Sequence, residues 1–207
     1  MIGRLDVIIV MLFLAGTPSL YSEQSKAAGR PRMTLIECDM AGIPSKIRSG
    51  AKRETIRIFE RAGVDVVWVD AGPACKTPSM HGRFTVVIIH EPPKEWDKPK
   101  ATGFAPTRTG AYRRAYVFYD RVTAMANAST TNHVPETTSV ILGHVVAHEL
   151  GHLLLPGDAH SPNGIMRHQW NYRLWEEAAA GRLLFTPDQS RLIRKELQAN
   201  QEAGFAR

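Results

Sequence analysis

Residues 146–155 have the sequence Val146-Ala147-His148-Glu149-Leu150-Gly151-His152-Leu153-Leu154-Leu155. Residues four positions apart lie on the same face of an α-helix, so His148 and His152 can present both imidazoles to one ion. Glu149 projects beside the pair, close to such an ion without being a ligand. The stretch therefore decides the fold prediction, because it indicates a helix built around a metal site.

Residues on either side of this motif predict where its helix begins and ends. Pro135 is tolerated at a first helical position, and Glu136 suits the positive end of the helix dipole. At the other end, Pro156-Gly157 interrupts the helical pattern. We therefore predict one long helix from Pro135 to about Leu155.

The spacing of the two histidines is typical of zinc. Two neutral imidazoles leave Zn²⁺ strongly Lewis-acidic, and a catalytic site adds a third protein ligand and keeps the fourth position for water. Zinc lowers the pKa of that water to about 7, so Glu149 can act as general base on the zinc-bound water and pass the proton to a leaving amine. His160 follows the Pro-Gly turn, where a third ligand can fold back. The predicted metal ligands are His148, His152 and His160, and the predicted catalytic residue is Glu149.

Residues 140–170 resemble a metzincin-type zincin, whose pattern is His-Glu-x-x-His-x-x-Gly-x-x-His followed by a turn containing methionine. His148 through Met166 also resembles small exported bacterial zincin-like proteins with His-Glu-x-x-His-Leu-Leu-Leu, a glycine and then His-Ser. The resemblance implies an α+β, zincin-like fold with a mixed sheet, an active-site helix and a mainly helical C-terminal part. It also implies a zinc metallopeptidase acting on polypeptides as an endopeptidase, with Met166 as an apolar floor beneath the metal.

Two positions depart from the metzincin pattern. Leu155 occupies the glycine position, and Asp158 occupies the position of the third histidine. Gly157-Asp158-Ala159-His160 restores the Gly-x-x-His unit two residues later. We favour His160 as third ligand because the step from His160-Ser161 to Met166 matches the expected one. The alternative is that Asp158 binds the metal at the usual spacing, as in the snapalysin-like variant.

Two further histidines lie near this site in the sequence. His144 lies one turn before His148, and three consecutive helical turns cannot all reach one small ion, so we interpret His144 as a structural or supporting residue. His168 follows Met166 by two residues, where some metzincins place an oxyanion-stabilising tyrosine. We assign His168 no role from the sequence.

The rest of the chain predicts a single zincin-like catalytic domain over residues 33–200. Apolar, β-branched runs predict strands, and apolar residues at helical spacing predict helices. The predicted strands are Met33–Cys38, Val64–Val69, Phe84–Ile89 and Ala115–Val122, and the further helices are Ser45–Ala62, Trp170–Gly181 and one that starts at the capping box Thr186-Pro187-Asp188-Gln189 and ends near Asn200. Residues 90–110 contain many prolines and glycines, which favours a loop or an irregular edge. The strand Ala115–Val122 is either the sheet edge that pairs with an extended substrate or an ordinary inner strand.

The N-terminal residues predict export. Met1-Ile2-Gly3-Arg4 precedes the apolar run Val7–Ala15, a pattern typical of a signal peptide, which we place at residues 1–22. No later run approaches the roughly 20 apolar residues that span a bilayer, so we expect no stable membrane insertion after signal removal. The protein is thus predicted to be secreted or periplasmic. In an oxidising compartment Cys38 and Cys75 are expected to form a disulfide, the alternative being two buried thiols.

Composition excludes some classes of protein. The 207 residues are 43% hydrophobic and 22% charged, which is ordinary for a globular domain and argues against disorder. The net charge of +6 is spread along one helix and several loops, so we expect no nucleic-acid binding. The functional alternatives to a peptidase are a zinc hydrolase of a non-peptide amide and a non-catalytic binding protein stapled by zinc. The sequence leaves the oligomeric state open.

Overall fold

The computed structural model describes residues 29–70, 75, 83–106, 113–129 and 135–205. The predicted signal peptide, residues 1–22, lies outside the described residues. The elements are, in chain order, β1 (Arg32–Asp39), α1 (Ser45–Arg61), β2 (Asp65–Asp70), β3 (Arg83–Ile89), a single 3₁₀ turn (Lys94–Trp96), β4 (Gly103–Phe104), β5 (Arg114–Phe118), α2 (Tyr119–Ser129), α3 (Pro135–Leu154), α4 (Tyr172–Ala179) and α5 (Pro187–Phe205).

The strands form one mixed sheet in the order β2-β1-β3-β5-β4. The first four strands run parallel, and β4 pairs antiparallel with β5, with Gly103 opposite Val117. Parallel strands that are covered on both faces read as nearly continuous apolar runs, and the interior of β3 is buried from Phe84 to Ile88 for this reason. The predicted mixed sheet is present, and the chain after β5 is mainly helical, as expected.

Helices α1 and α3 pack against each other and share one apolar core with the sheet. Phe59 from α1, Leu142 from α3 and Leu35 from β1 are fully buried in that core. Gly143 allows the two helices to approach closely, because a methyl group there would lie 2.9 Å from the carbonyl oxygen of Ala51. This packing fixes the position of α3 beneath the sheet, and α3 is the element that carries both helix histidines.

The prediction of a strand over Ala115–Val122 is wrong in its second half. The strand ends at Phe118, and α2 begins at the next residue without an intervening glycine or proline. Val122 and Ala126, four residues apart, are buried at the spacing of a helix face. Because β4 pairs with the outer side of β5, β5 is an inner strand, and β4 forms the edge of the sheet at that end.

The last two helices begin at residues that cap them. At α5, the backbone N–H of Thr186 donates to the side chain of Gln189 (2.9 Å), and the N–H of Gln189 donates to the hydroxyl of Thr186 (3.3 Å), which confirms the predicted capping box. At α4, Asn171 accepts a hydrogen bond from the N–H of Leu174, so the helix starts two residues later than predicted. Helix α5 extends five residues past the predicted end, to Phe205.

The two cysteines are bonded to each other, as predicted. The disulfide joins Cys38 near the end of β1 to Cys75, which lies between β2 and β3. Of the helices in the described part of the chain, none is both long and apolar enough to cross a membrane.

Candidate metal centre

The C-terminal half of α3 brings the imidazoles of His148 and His152 together. Their Nε2 atoms lie 3.1 Å apart, and the two rings meet edge to face. Two nitrogen ligands of one tetrahedral zinc ion, each bound at about 2.05 Å, stand about 3.3 Å apart. The observed separation is therefore close to the one that a shared zinc ion requires.

The loop after α3 adds a third imidazole to this pair. One possible ligand atom from each of His148, His152 and His160 lies within 4.8 Å of the others, and no second group of this kind occurs among the described residues. The ring of His160 is centred 4.7 Å from that of His152 and 5.6 Å from that of His148. The three imidazoles thus converge on one small volume.

Hydrogen bonds hold this loop in its folded-back course. The N–H of Ser161 donates to the carbonyl of Met166 (2.9 Å), and the side-chain amide of Gln189 on α5 donates to the Ser161 hydroxyl (2.9 Å). Gly157 has a φ of +62°, a backbone conformation that glycine adopts without steric cost. The residue next to His160 is therefore tied to both the methionine turn and the last helix.

Two of the three imidazoles have an acceptor on the side facing away from the cluster. Nδ1 of His148 lies 2.8 Å from the carbonyl oxygen of Ile165, and Nδ1 of His160 lies 2.9 Å from a carboxylate oxygen of Asp158. A proton on each Nδ1 leaves the Nε2 lone pair free to bind a metal. The same oxygen of Asp158 also accepts the backbone N–H of His160 at 3.2 Å.

Burial keeps the helix histidines neutral. Desolvation, followed by the charge of His152, lowers the pKa of His148 to about 3. Desolvation, followed by the charge of His160, lowers the pKa of His152 to about 4. Neutral imidazole is the form that binds metals, so both side chains are ready to act as ligands at neutral pH.

Glu149 lies in the interior beneath the edge strand. The residue is only 5% exposed, and burial raises the pKa of its carboxyl to about 8. A carboxyl whose pKa burial raises toward neutral pH is suited to proton transfer, and Glu149 directly follows His148 on the helix. Gly103 of β4 crosses directly over this side chain.

Met166 lies fully buried against α3, the helix that carries His148 and His152. Its sulfur packs onto Gly151, where a methyl group would leave no room for it. The glycine inside the helix motif thus makes space for the methionine. The predicted role of Met166 as an apolar floor beneath a metal stays a prediction.

The other nearby histidines and one tryptophan surround the cluster. His144 is fully buried, with Nδ1 2.8 Å from the carbonyl of Val140, and lies outside the group of converging imidazoles. His168 is exposed, and its ring is centred 4.7 Å from that of His160. Trp170 meets the ring of His148 edge to face at 5.4 Å.

Three features of the site were absent from the sequence prediction. No pattern indicated that Gly103, in a stretch expected to be a loop, would lie over Glu149, and Trp170 carried only a helix-start prediction. The sequence did contain a local signal for Asp158. An aspartate side chain commonly accepts a hydrogen bond from the backbone N–H two residues later, which here is that of His160. That signal would have suggested that Asp158 supports His160.

The chain matches no protein-family model, and no curated protein matches it. A solved structure with a similar fold is the crystal structure of archaemetzincin from Methanopyrus kandleri. The two structures agree with a TM-score of 0.50 over 81% of this chain and 96% of that chain, at 16% sequence identity. At this identity the similarity shows the fold alone, a mixed sheet packed against helices.

Proposed function

We propose that this protein is an exported zinc-dependent peptidase of metzincin-like type that cleaves polypeptides as an endopeptidase. The observation that carries the proposal is the convergence of three imidazoles, from His148, His152 and His160, beside the buried carboxyl of Glu149. A hydrolytic metal site needs such a set of ligands and a base that is close to the metal without binding it.

The residues fit zinc in donor type, protonation and spacing. Imidazole nitrogen is a common zinc ligand, His148 and His152 are neutral at physiological pH, and their Nε2 atoms are 3.1 Å apart. When bound, zinc supplies Lewis acidity, which polarises the scissile carbonyl and lowers the pKa of the attacking water.

Glu149 is proposed as the general base. Its carboxyl is held in a desolvated position on the residue that follows His148, and a nearby cation would favour the ionised form. The ionised carboxylate can accept a proton from the attacking water and deliver it to the leaving amine. The carboxyl group then returns to the ionised form after each turnover.

We propose His160 as the third ligand and Asp158 as the group that orients it. The ring of His160 faces the helix histidines, whereas the side chain of Asp158 is 83% exposed and accepts from the outer nitrogen of that ring. Carboxylates in this position fix the tautomer and orientation of a metal-binding histidine. The lengthened loop therefore changes the task of the aspartate from binding the metal to supporting a ligand.

The edge of the sheet is the proposed place for an extended polypeptide. β4 is the strand nearest Glu149, and its outer side faces no other strand among the residues that the structure describes. A peptide could add to this edge by main-chain hydrogen bonds, the mode that is one of the two alternatives for the strand predicted at residues 115–122.

Export and processing remain part of the proposal. A disulfide between Cys38 and Cys75 is compatible with an oxidising compartment, where such bonds persist. We propose removal of residues 1–22 and a catalytic domain over residues 33–200, without stable membrane insertion or nucleic-acid binding.

A non-catalytic zinc staple is the second candidate, because His168 supplies a fourth imidazole 4.7 Å from the ring of His160. A closed structural site would use four protein ligands and leave no position for water. The buried acid Glu149 argues against it, since a staple does not need that group. Replacing His168 with alanine should lower zinc affinity sharply in a staple and only slightly in a peptidase.

The decisive experiment compares Glu149→Ala with the control Glu95→Ala, an exposed acidic residue on the 3₁₀ turn. Both variants should bind about one zinc ion per chain, measured by elemental analysis after gel filtration. Cleavage of a mixed peptide library, followed by mass spectrometry, should be abolished by Glu149→Ala and unchanged by Glu95→Ala. Cleavage that persists in Glu149→Ala would refute the proposed mechanism. If the wild-type protein leaves the peptide library intact but cleaves other amides, the non-peptide hydrolase is favoured.

A further inference from the structure

The edge strand β4 has no side chain at the point where it crosses Glu149. A methyl group on Gly103 would lie 2.6 Å from Cγ, 2.6 Å from Oε1 and 2.7 Å from Cδ of Glu149. Non-bonded carbon atoms approach favourably only to about 3.5 Å. Any residue other than glycine at this position therefore has to displace either the strand or the carboxylate.

Strand β4 is held in place by its pairing with β5 and by a contact on the face of the sheet opposite Glu149. Thr102 accepts a backbone hydrogen bond from Phe118 (2.9 Å), and Gly103 is paired with Val117. Phe104 points to the opposite face of the sheet, where its ring is centred 5.1 Å from that of Trp96. These contacts resist an outward movement of β4.

The backbone conformation does not explain why residue 103 is glycine. Gly103 is absent from the residues with positive φ, so other amino acids could adopt its conformation. Glycine inside a strand weakens the strand and often marks a place where another group approaches closely. The close approach of Glu149 supplies that reason.

We propose that Gly103 is a positioning residue for the base Glu149. Its bare backbone packs on the side chain of Glu149 and holds the carboxyl in its buried position. In this arrangement the strand that is proposed to accept the substrate also limits the directions in which the base can point. The catalytic meaning of this contact rests on the proposed function, whereas the contact itself does not.

The contact predicts an energetic coupling between residues 103 and 149. Gly103→Ala should lower the Tm by roughly 4–8 °C in the otherwise wild-type protein, as overpacking does in a domain of this size. In a Glu149→Ala background the same substitution should lower the Tm by less than about 2 °C, because the methyl group then occupies the space left by the deleted side chain. The control Gly29→Ala adds a methyl group where no heavy atom lies within 4 Å, and its Tm should match that of the wild type.

The same variant separates positioning of the base from metal binding. Gly103→Ala should bind zinc within about threefold of wild-type affinity, because Glu149 is not a ligand, and its kcat for peptide cleavage should fall roughly 100-fold. Zinc affinity is measured by competition with a chromophoric chelator, and its preservation shows that the histidine cluster is intact.

Equal losses of Tm in the two backgrounds would overturn the proposal, because Gly103 would then serve the backbone and not Glu149. Wild-type kcat in Gly103→Ala would overturn it as well. If Gly103→Ala does not fold, recovery of folding in the double variant Gly103→Ala/Glu149→Ala supports the contact, and failure of both refutes it. If Glu149→Ala still cleaves peptides, the proposed function falls, while the comparison of Tm values still decides whether the two residues are in contact.

Discussion

Replacing Glu149 with glutamine should stabilise the metal-free protein, and the gain should grow with pH. The substitution keeps the shape of a side chain that is 5% exposed and removes its ability to ionise. Burial raises the pKa of this carboxyl from 4.5 to about 8, so the folded protein retains a proton that the unfolded chain has lost. Between these two pH values this carboxyl binds fewer protons in the unfolded chain, so the contribution of Glu149 to the stability of the wild type falls as pH rises.

The size of the effect follows from the difference between the pKa values of the folded and unfolded protein. A tenfold change in the acid dissociation constant corresponds to about 1.4 kcal/mol, so the ionisable carboxyl costs the folded state about 1 kcal/mol at pH 5, about 3 kcal/mol at pH 7 and about 5 kcal/mol at pH 9. Glu149→Gln should be more stable than the wild type by these amounts. Above pH 8 the difference should level off, because the folded protein then ionises too.

Urea unfolding in the presence of a chelator measures this difference. Tryptophan fluorescence reports unfolding, and all other titrating groups are common to both proteins and cancel in the comparison. Glu95→Gln, at an exposed position, should show no pH-dependent difference from the wild type. A gain from Glu149→Gln that is the same at pH 5 and pH 9, or a loss of stability at pH 9, would refute the idea that this carboxyl is held in a desolvated position.

Three further changes test other parts of the structure. Asp158→Ala should weaken zinc binding roughly 10- to 100-fold, and His160→Ala should weaken it more. Competition with a chelator measures both affinities, and equal losses in the two variants would favour Asp158 as a ligand. Replacing Cys38 with serine should cost about 4 kcal/mol of unfolding free energy, since the disulfide closes a loop across 37 positions; an unchanged urea midpoint would contradict this. Metal-free wild type should lose stability as pH falls below 6.5, because the pKa of His148 is lowered to about 3 and only the unfolded chain takes up that proton; His148→Gln should flatten this loss, and an identical acid profile would speak against it.

The local parts of the site could be predicted from the sequence because they depend on short-range geometry. Helical spacing alone places His148 and His152 on one face, and a helix does contain them. The capping box at Thr186 and Gln189 formed as predicted, since both of its hydrogen bonds lie within one turn of helix. The disulfide was predicted from an even number of cysteines together with the predicted export.

Other predictions failed or stayed open because they depend on packing between distant segments. Helix α2 was missed because the predicted strand was extended from β5 through Tyr119, Asp120 and Arg121 to the β-branched Val122. Only the burial of Val122 and Ala126 against the core shows the helical period. β4 has two residues and no strand pattern of its own, so it exists as a strand only because β5 offers an unpaired edge.

The sequence by itself determined the motif, the helix that contains it, and the spacing that places His148 and His152 on one face of that helix. The tertiary structure alone decided that His160 turns toward the cluster while Asp158 stands outside it, and that Gly103 lies on Glu149. Backbone geometry fixes which side chains share a helix face when they are four residues apart. The course of the loop that carries His160 depends instead on a contact with α5, and the position of β4 depends on its pairing with β5, and these partners are distant in the chain.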